Sequence, residues 1–370
     1  MRVREITGGS LEPLFDLPRR LHAGAPQWVG PFAGLERRRI RHFVRRGRLR
    51  IFVAEQGGEV VGTMSALRDA KHAAHKGEGV GWFGFVEMID DRGVAEALFD
   101  SVTEAGRAWG CDRLRGPRNL TRWDGMGLTV QGHDTLPPLM QGHHPAHVAM
   151  HVEALGFEKH HDVLAYETPV IDADGNPRQL PEPLFSQAAN CRIQGLEIRA
   201  LDRWRMGSDL RAAHEVLNAA FATVPDISPM GPGQFVALGR IYANLASRHL
   251  MQVARVRGRP VAFAATFPEL NEALVAARGR WGIRGIARAI AARRTIRTAS
   301  FKLIGVVPEY RGTGLHAKLI DQVIDGVRKA GFERLEASVI DERNKPMRAV
   351  VERAGLEIYR RWRLFERAIG

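Results

Sequence analysis

Cysteine is almost missing from this 370-residue chain, which has only Cys111 and Cys191. Two thiols cannot build a disulfide framework or a cysteine-based zinc site, so a reducing, cytoplasmic setting is expected, with both thiols as packing residues. No stretch approaches the ~18 uncharged apolar residues of a membrane span, and Met1–Gly9 has no apolar run after its charges. Neither a spanning helix nor a secretory leader is expected. Walker loops, Gly-x-Ser-x-Gly elbows and Cys-x-x-Cys pairs are absent too, which argues against NTPase and hydrolase chemistry. Carboxylates are missing from one long stretch. Between Glu272 and Glu309 lie seven arginines and Lys302 but no acidic residue.

What is present is a globular composition, 45% apolar and 26% charged, in a chain long enough for two domains. The net charge of +13 points to an anionic partner. A second basic patch, Arg37 to Arg50, holds eight arginines.

The chain also repeats itself. Gly84-Phe85-Val86 precedes Gly110 by the same 26 residues that separate Gly305-Val306-Val307 from Gly331. Ala354-Gly355-Leu356-Glu357 matches Leu155-Gly156-Phe157-Glu158, with 22 extra residues in the first copy. Spacing shared over several blocks signals duplication. The copies are read as residues 1–168 and 195–370, joined by a Pro-containing linker, 169–194. Each shows short alternating strands and a long amphipathic helix, with a hairpin signal at Gly57-Gly58 in the first. The expected class is α/β (α+β), a mixed sheet flanked by helices in each copy.

The segment that carries chemistry runs from Phe301 to His316. An apolar strand ends at Val306-Val307, a turn of Pro308-Glu-Tyr-Arg-Gly-Thr-Gly314 follows, and a helix opens at Leu315. Such a turn aims backbone amides and a helix dipole at one point, and its glycines let a phosphate approach. Arg311 can add a charge-assisted contact. This segment resembles the pyrophosphate loop of GNAT N-acyltransferases, with Arg311, Gly312 and Gly314 matching and His316 departing from the usual small residue. The likeness extends to a tandem GNAT subfamily that includes bacterial ceramide synthases, through Pro268-Glu-Leu-Asn271, Glu336-Ala-Ser338 and Glu342-Arg-Asn344.

The resemblance implies two tandem GNAT folds and an acyl-CoA or acetyl-CoA co-substrate. It implies that Val306 and Val307 hold the pantetheine arm, that Arg311, Gly312, Thr313, Gly314, Leu315 and His316 bind the pyrophosphate, and that Asn344 contacts the arm. A base must then deprotonate an amine. Glu336 is the first candidate, with Ser338 on the same strand face, and Glu342 and Asp341 as rivals. The tyrosine that protonates the thiolate in many members is replaced by Val351, so water is left for that task.

In the first copy Asp90-Asp91-Arg92-Gly93 overlies the loop, so CoA is expected only in the second. The inserted segment, Asn119 to His144, is read either as structural or as lining an acceptor pocket. His143, His147 and His151 fall four apart, but Pro145 interrupts them and no metal is expected. Trp281–Ile296 reads as a basic amphipathic helix able to lie on an anionic membrane; a nucleic-acid partner is not expected. The acceptor is read as a small-molecule or lipid-like amine. Alternatives are an acetyltransferase acting on a small polar amine or a protein, and a silent acyl-CoA-binding regulator.

Overall fold

A computed structural model describes all residues except 8–9, 32, 78, 122–123, 180, 203, 223–230 and 246–247. The described residues form thirteen strands. They are β1 (Arg2–Ile6), β2 (Leu49–Gln56), β3 (Glu59–Arg68), β4 (Val80–Met88), β5 (Arg113–Gly116), β6 (Leu128–Gln131), β7 (Glu158–Pro169), β8 (Leu196–Ala200), β9 (Met251–Val256), β10 (Arg259–Pro268), β11 (Thr298–Val306), β12 (Arg334–Asp341) and β13 (Glu357–Ala368).

Two compact units result. One comprises Met1–Leu164, Asn271–Thr295 and Tyr359–Gly370; the other comprises Ala165–Leu270 and Ile296–Ile358. Their bounds cut across the two copies read from the sequence. The last strand and the arginine-rich stretch after Asn271 come from the second copy but group with the first unit.

In the first unit β1 to β4 are antiparallel neighbours, and β5 joins β4 in parallel after the helix Arg92–Ala108. β13 then runs antiparallel to β5, with Phe365 opposite Gly116. The β2–β3 hairpin turns at Gly57 and Gly58, both at positive φ, the conformation that glycine adopts without a Cβ penalty. The helix buries Leu98, Phe99 and Val102 completely against the sheet. Phe99 lies 4.7 Å from Phe157 and 5.1 Å from Phe83, ring centre to ring centre. Each side chain of this size removed from water contributes roughly 1.5–3 kcal/mol.

The second unit repeats that plan. β8 to β11 are antiparallel neighbours, and β12 joins β11 in parallel after the helix Leu315–Lys329. Its β9–β10 hairpin turns at Arg257 and Gly258, again at positive φ. Leu319, Val323 and Val327 of the helix are fully buried. The stretch read as a linker carries a helix of its own, Glu182–Ala189, in this unit.

Candidate functional site

β11 and β12 pair only from Thr298 and Arg334 to Phe301 and Ala337. Both strands continue, β11 to Val306 and β12 to Asp341, so past Phe301 their facing edges are not joined in parallel register among the described residues. Two parallel strands that part in this way leave backbone N–H and C=O groups for another partner. Val339, at the parting, is held at φ 63°. A β-branched residue pays for that left-handed conformation, which persists only where the surroundings fix it. The Val307 amide donates to the Val261 carbonyl at 3.0 Å, so it is already engaged. Val306 sits in antiparallel register with Ala262.

Beyond Val307 the chain makes one 3-10 turn, Pro308–Tyr310, and reaches the glycines. Gly312 has φ 78° and Gly314 φ 81°. A Cβ on Gly314 would stand 2.6 Å from the Gln187 carbonyl oxygen, so this position requires glycine for its φ and for its space. At Gly312 the space is open. Gly314 is also the N-cap of the Leu315–Lys329 helix and offers no side-chain acceptor, so the first-turn amides lack the usual cap. The Thr313 hydroxyl donates back to the Tyr310 carbonyl at 2.7 Å and tightens the turn.

The Arg311 guanidinium donates from one nitrogen to the Ala220 carbonyl at 2.8 Å, which fixes it beside the loop while its residue stays exposed. Leu315 is buried beneath the helix start. His316 is half-buried; burial, helped by Arg353, lowers its pKa below the ordinary value, so the ring is neutral at pH 7. Asn344 caps the helix Lys345–Arg353, its Oδ1 accepting from the Met347 amide at 3.3 Å.

The parted strands also bring together a buried polar cluster. Ser300 and Lys302 on β11 face Glu336 and Ser338 on β12. The Ser300 hydroxyl donates to Glu336 Oε2, and Lys302 Nζ lies 3.4 Å from the same oxygen. Lys302 also donates to the Ser338 hydroxyl. The side chains of Lys302 and Glu336 are 6% and 2% exposed. Glu336 Oε1 is buried and has no hydrogen-bond partner. A buried carboxylate with one oxygen held and the other open is rare, because an unsatisfied charged acceptor is costly.

Sequence reasoning placed Glu336 and Ser338 on one strand face but missed Ser300 and Lys302. The signal was available: two polar residues two apart in an otherwise apolar strand face the same way. The rivals differ in placement. Asp341 is buried and held by Arg343, at 2.7 Å and through the Arg343 amide at 2.9 Å. Glu342 is half-buried, and its carbonyl accepts from Arg348. Val351 is buried in the helix after Asn344. A tyrosine from elsewhere does reach this helix: the Tyr166 hydroxyl donates to Glu352 at 3.0 Å and accepts from Arg348. Tyr359 groups with the other unit.

In the first unit the corresponding features are closed. Asp91 caps the helix Arg92–Ala108, accepting from the Val94 amide at 3.1 Å, and Asp90 meets His151 at 2.8 Å. The start of the inserted segment and the residue before it also occupy the strand edge: the Arg118 amide donates to the Phe83 carbonyl at 2.7 Å, and Asn119 Oδ1 accepts from the Phe85 amide at 2.8 Å. A Cβ on Gly84 would stand 2.2 Å from the Arg118 carbonyl. The three spaced histidines have separate partners. His143 precedes the helix Ala146–Ala154 and meets Arg360, His147 meets the Met88 carbonyl, and His151 meets Asp90.

The model of the acetyltransferase (GNAT) family matches residues 234–356. That stretch, a third of the chain, is a GNAT-type acyltransferase domain. Protein YghO of Escherichia coli is 28% identical over 98% of this chain and 94% of its own length. A bacterial ceramide synthase of Caulobacter vibrioides is 27% identical over 98% of this chain and 96% of its own. Among solved structures, a tandem GNAT protein from the clavulanic acid biosynthesis pathway covers the whole chain and 98% of its own, with a TM-score of 0.54 and 16% identity. That likeness shows the tandem fold. The GNAT domain holds both the glycine loop and the Glu336 cluster.

Proposed function

We propose that this chain transfers an acyl group from acyl-CoA or acetyl-CoA to a primary amine, preferring a lipid-like acceptor, in the second of two GNAT copies, 1–168 and 195–370. The uncapped helix start at Gly314, with Arg311 fixed beside it, supports the CoA pyrophosphate there. Thr313, Leu315 and His316 belong to the same turn, and the open strand edges near Val306 suit the amide-rich pantetheine arm, with Asn344 as a further contact. No metal takes part in this reading.

Glu336 is the observation that carries the catalytic reading, because its free oxygen lies in a buried site where it can accept from an incoming ammonium. The acceptor loses one proton to Glu336, directly or through water. Its nitrogen lone pair then forms the C–N bond at the thioester carbonyl. The C–S bond breaks, and the leaving thiolate takes a proton from a water that in turn accepts the second proton of the now cationic nitrogen, which leaves a neutral amide and a thiol. Lys302, Ser300 and Ser338 hold the carboxylate in place; Glu342 is the reserve candidate. The ceramide synthase name of one full-length relative supports a long-chain amine acceptor, and with it peripheral contact with an anionic membrane at the inner face of the cell.

Turnover of acetyl-CoA and palmitoyl-CoA against a soluble amine and a long-chain amino alcohol tests the reading. Glu336→Gln is expected to lower kcat by ~10²–10⁴ with CoA affinity unchanged. Unaltered kcat in that variant moves the base to Glu342, and faster turnover of acetyl-CoA with the soluble amine removes the lipid preference.

A further inference from the structure

The first unit contains a basin of about 1020 Å³ that the acyl-transfer reading does not use. Arg19, Arg278, Arg280 and Arg288 line it, with His22 and Trp28, and no carboxylate is among the lining residues. Arg278, Arg280 and Arg288 are exposed, and among the described residues none has a carboxylate partner. Arg19 spends one nitrogen on Asp16, while its Nε is buried with no partner at all. Three guanidinium groups without a carboxylate partner line one basin with Arg19, and like charges so placed repel one another unless an anion joins them.

The basin is built, not accidental. The segment Asn271–Thr295 is fastened to the first unit at three points. Asn271 donates to the Pro137 carbonyl at 2.9 Å, the Trp281 indole donates to the Pro31 carbonyl, and Gly30 and Gly279 cross so closely that a Cβ on Gly30 would lie 2.4 Å from the Gly279 Cα. His22 stacks on Trp28 at 5.4 Å and is held by Glu87 at 2.8 Å.

The helix that supplies Arg288 carries a second, independent feature. Ile283–Ala292 buries Gly285 and Ala289, its small residues, and turns its isoleucines outward. Ile283, Ile286 and Ile290 are 89%, 40% and 67% exposed. At 100° per residue these three lie within 60° of one another on the side away from Gly285 and Ala289, and Arg284 and Arg288 lie 100° and 140° round from Ile283, between that face and the buried one. A soluble anion would leave those isoleucines in water, and an acidic protein surface would offer them charge. A bilayer of anionic phospholipid meets both, with phosphate for the arginines and acyl chain for the isoleucines.

We infer that the arginine basin of the first unit is a headgroup site for an anionic phospholipid, and that Ile283, Ile286 and Ile290 enter the bilayer beside it. The site rests on the membrane contact proposed above and deepens it, but it shares no residue with the GNAT loop or the Glu336 cluster, so CoA binding and vesicle binding can fail separately.

Co-sedimentation of the full chain with vesicles of phosphatidylcholine alone, and with phosphatidylglycerol added, tests it. Binding is expected only to the anionic vesicles, and should weaken with salt. Arg278→Gln with Arg280→Gln and Arg288→Gln should reduce it about a hundredfold, from roughly fivefold per arginine. Ile283→Ser with Ile290→Ser should reduce it about tenfold while leaving inorganic phosphate binding, followed by calorimetry, unchanged. Equal binding to both vesicle types overturns the proposal, as does full binding by the arginine variant. Full vesicle binding by the isoleucine variant, with phosphate competing, would make the basin a soluble-anion site and overturns the lipid assignment. Melting temperature and CoA binding check that each variant is folded. If the triple variant melts early, Arg288→Gln alone, at an exposed helical position, carries the same test with a fivefold effect.

Discussion

The two glycine-bearing turns that precede the long helices answer the same problem in opposite ways. At Arg92 the orphan amides of the helix start are satisfied from within: Asp91 accepts from Val94. At Leu315 the cap is Gly314, which has no side chain to offer. The preceding strands differ in the same sense. The Phe85 amide of β4 is taken by Asn119 from the inserted segment, whereas β11 and β12 part beyond Phe301 with no insertion between their repeat-matched ends. On the function proposed above, a duplicated fold keeps an anion site in one copy and fills it with its own carboxylate and loop in the other. The difference lies in polar satisfaction, not in architecture.

The sharpest way to break this comparison is to give the second loop the first loop's charge. Gly312→Glu puts a carboxylate where space is open; because φ 78° strains any side chain there, Gly312→Ala is the control, and only the loss beyond it reads the charge. CoA affinity by calorimetry is expected to fall at least ~100-fold. Gly93→Glu, at the glycine of the first copy that corresponds to Gly314, is expected to leave it unaltered. Tight CoA binding by Gly312→Glu would remove the assignment of the loop.

Much of this was legible in the sequence. The 26-residue spacing, the hairpin glycines and the turn from Pro308 to Gly314 are local signals, and each appears where its spacing put it. The unit bounds were not legible, because β13 pairs with β5 across some 250 residues of chain and no local pattern marks such a partner. The Glu182–Ala189 helix was hidden by flanking prolines. The Lys302–Glu336 pair was visible only in half: a lysine in a strand reads as an edge residue until its place beside Glu336 and Ser338 is known. Trp281–Ile296 showed its amphipathic period, but period alone does not say which side faces the core, and here Gly285 and Ala289 do.

Lys302→Met tests the cluster that has no counterpart in the first copy. Removing the cation leaves Glu336 buried without its counter-charge, which typically costs about 3–5 kcal/mol. Denaturant unfolding should report that loss. Lys302→Met combined with Glu336→Gln should recover much of it, since neither charge then remains buried. Additive losses would show that the two side chains are not coupled.

Acid should separate the units in the other direction. Burial, with Arg360 and neighbouring imidazoles behind it, holds His143 at about 4 and His144 at about 3. The unfolded chain therefore binds more protons than the folded one below about pH 6.5, so stability is present above that pH and falls as the medium is acidified toward pH 4 and below. Six of the seven tryptophans belong to the first unit, so their fluorescence follows it. His143→Gln with His144→Gln should flatten the pH dependence by about two protons. An unchanged slope would show that these rings are not the groups responsible.

The smallest effect is the most direct reading of the comparison. Asp91→Ala deletes the cap of the Arg92–Ala108 helix and frees the Val94 amide that it satisfies. Losing such a cap costs about 1 kcal/mol, or roughly 2–4 °C in melting temperature for a unit of this size. CoA should not enter the vacated position, because Asn119 still holds the Phe85 amide and Arg118 still packs on Gly84. A measurable drop in stability with no second CoA site is therefore expected from calorimetry at saturating CoA. Two sites per chain in Asp91→Ala would mean that the carboxylate alone silences the first copy, and that the inserted segment yields to the ligand.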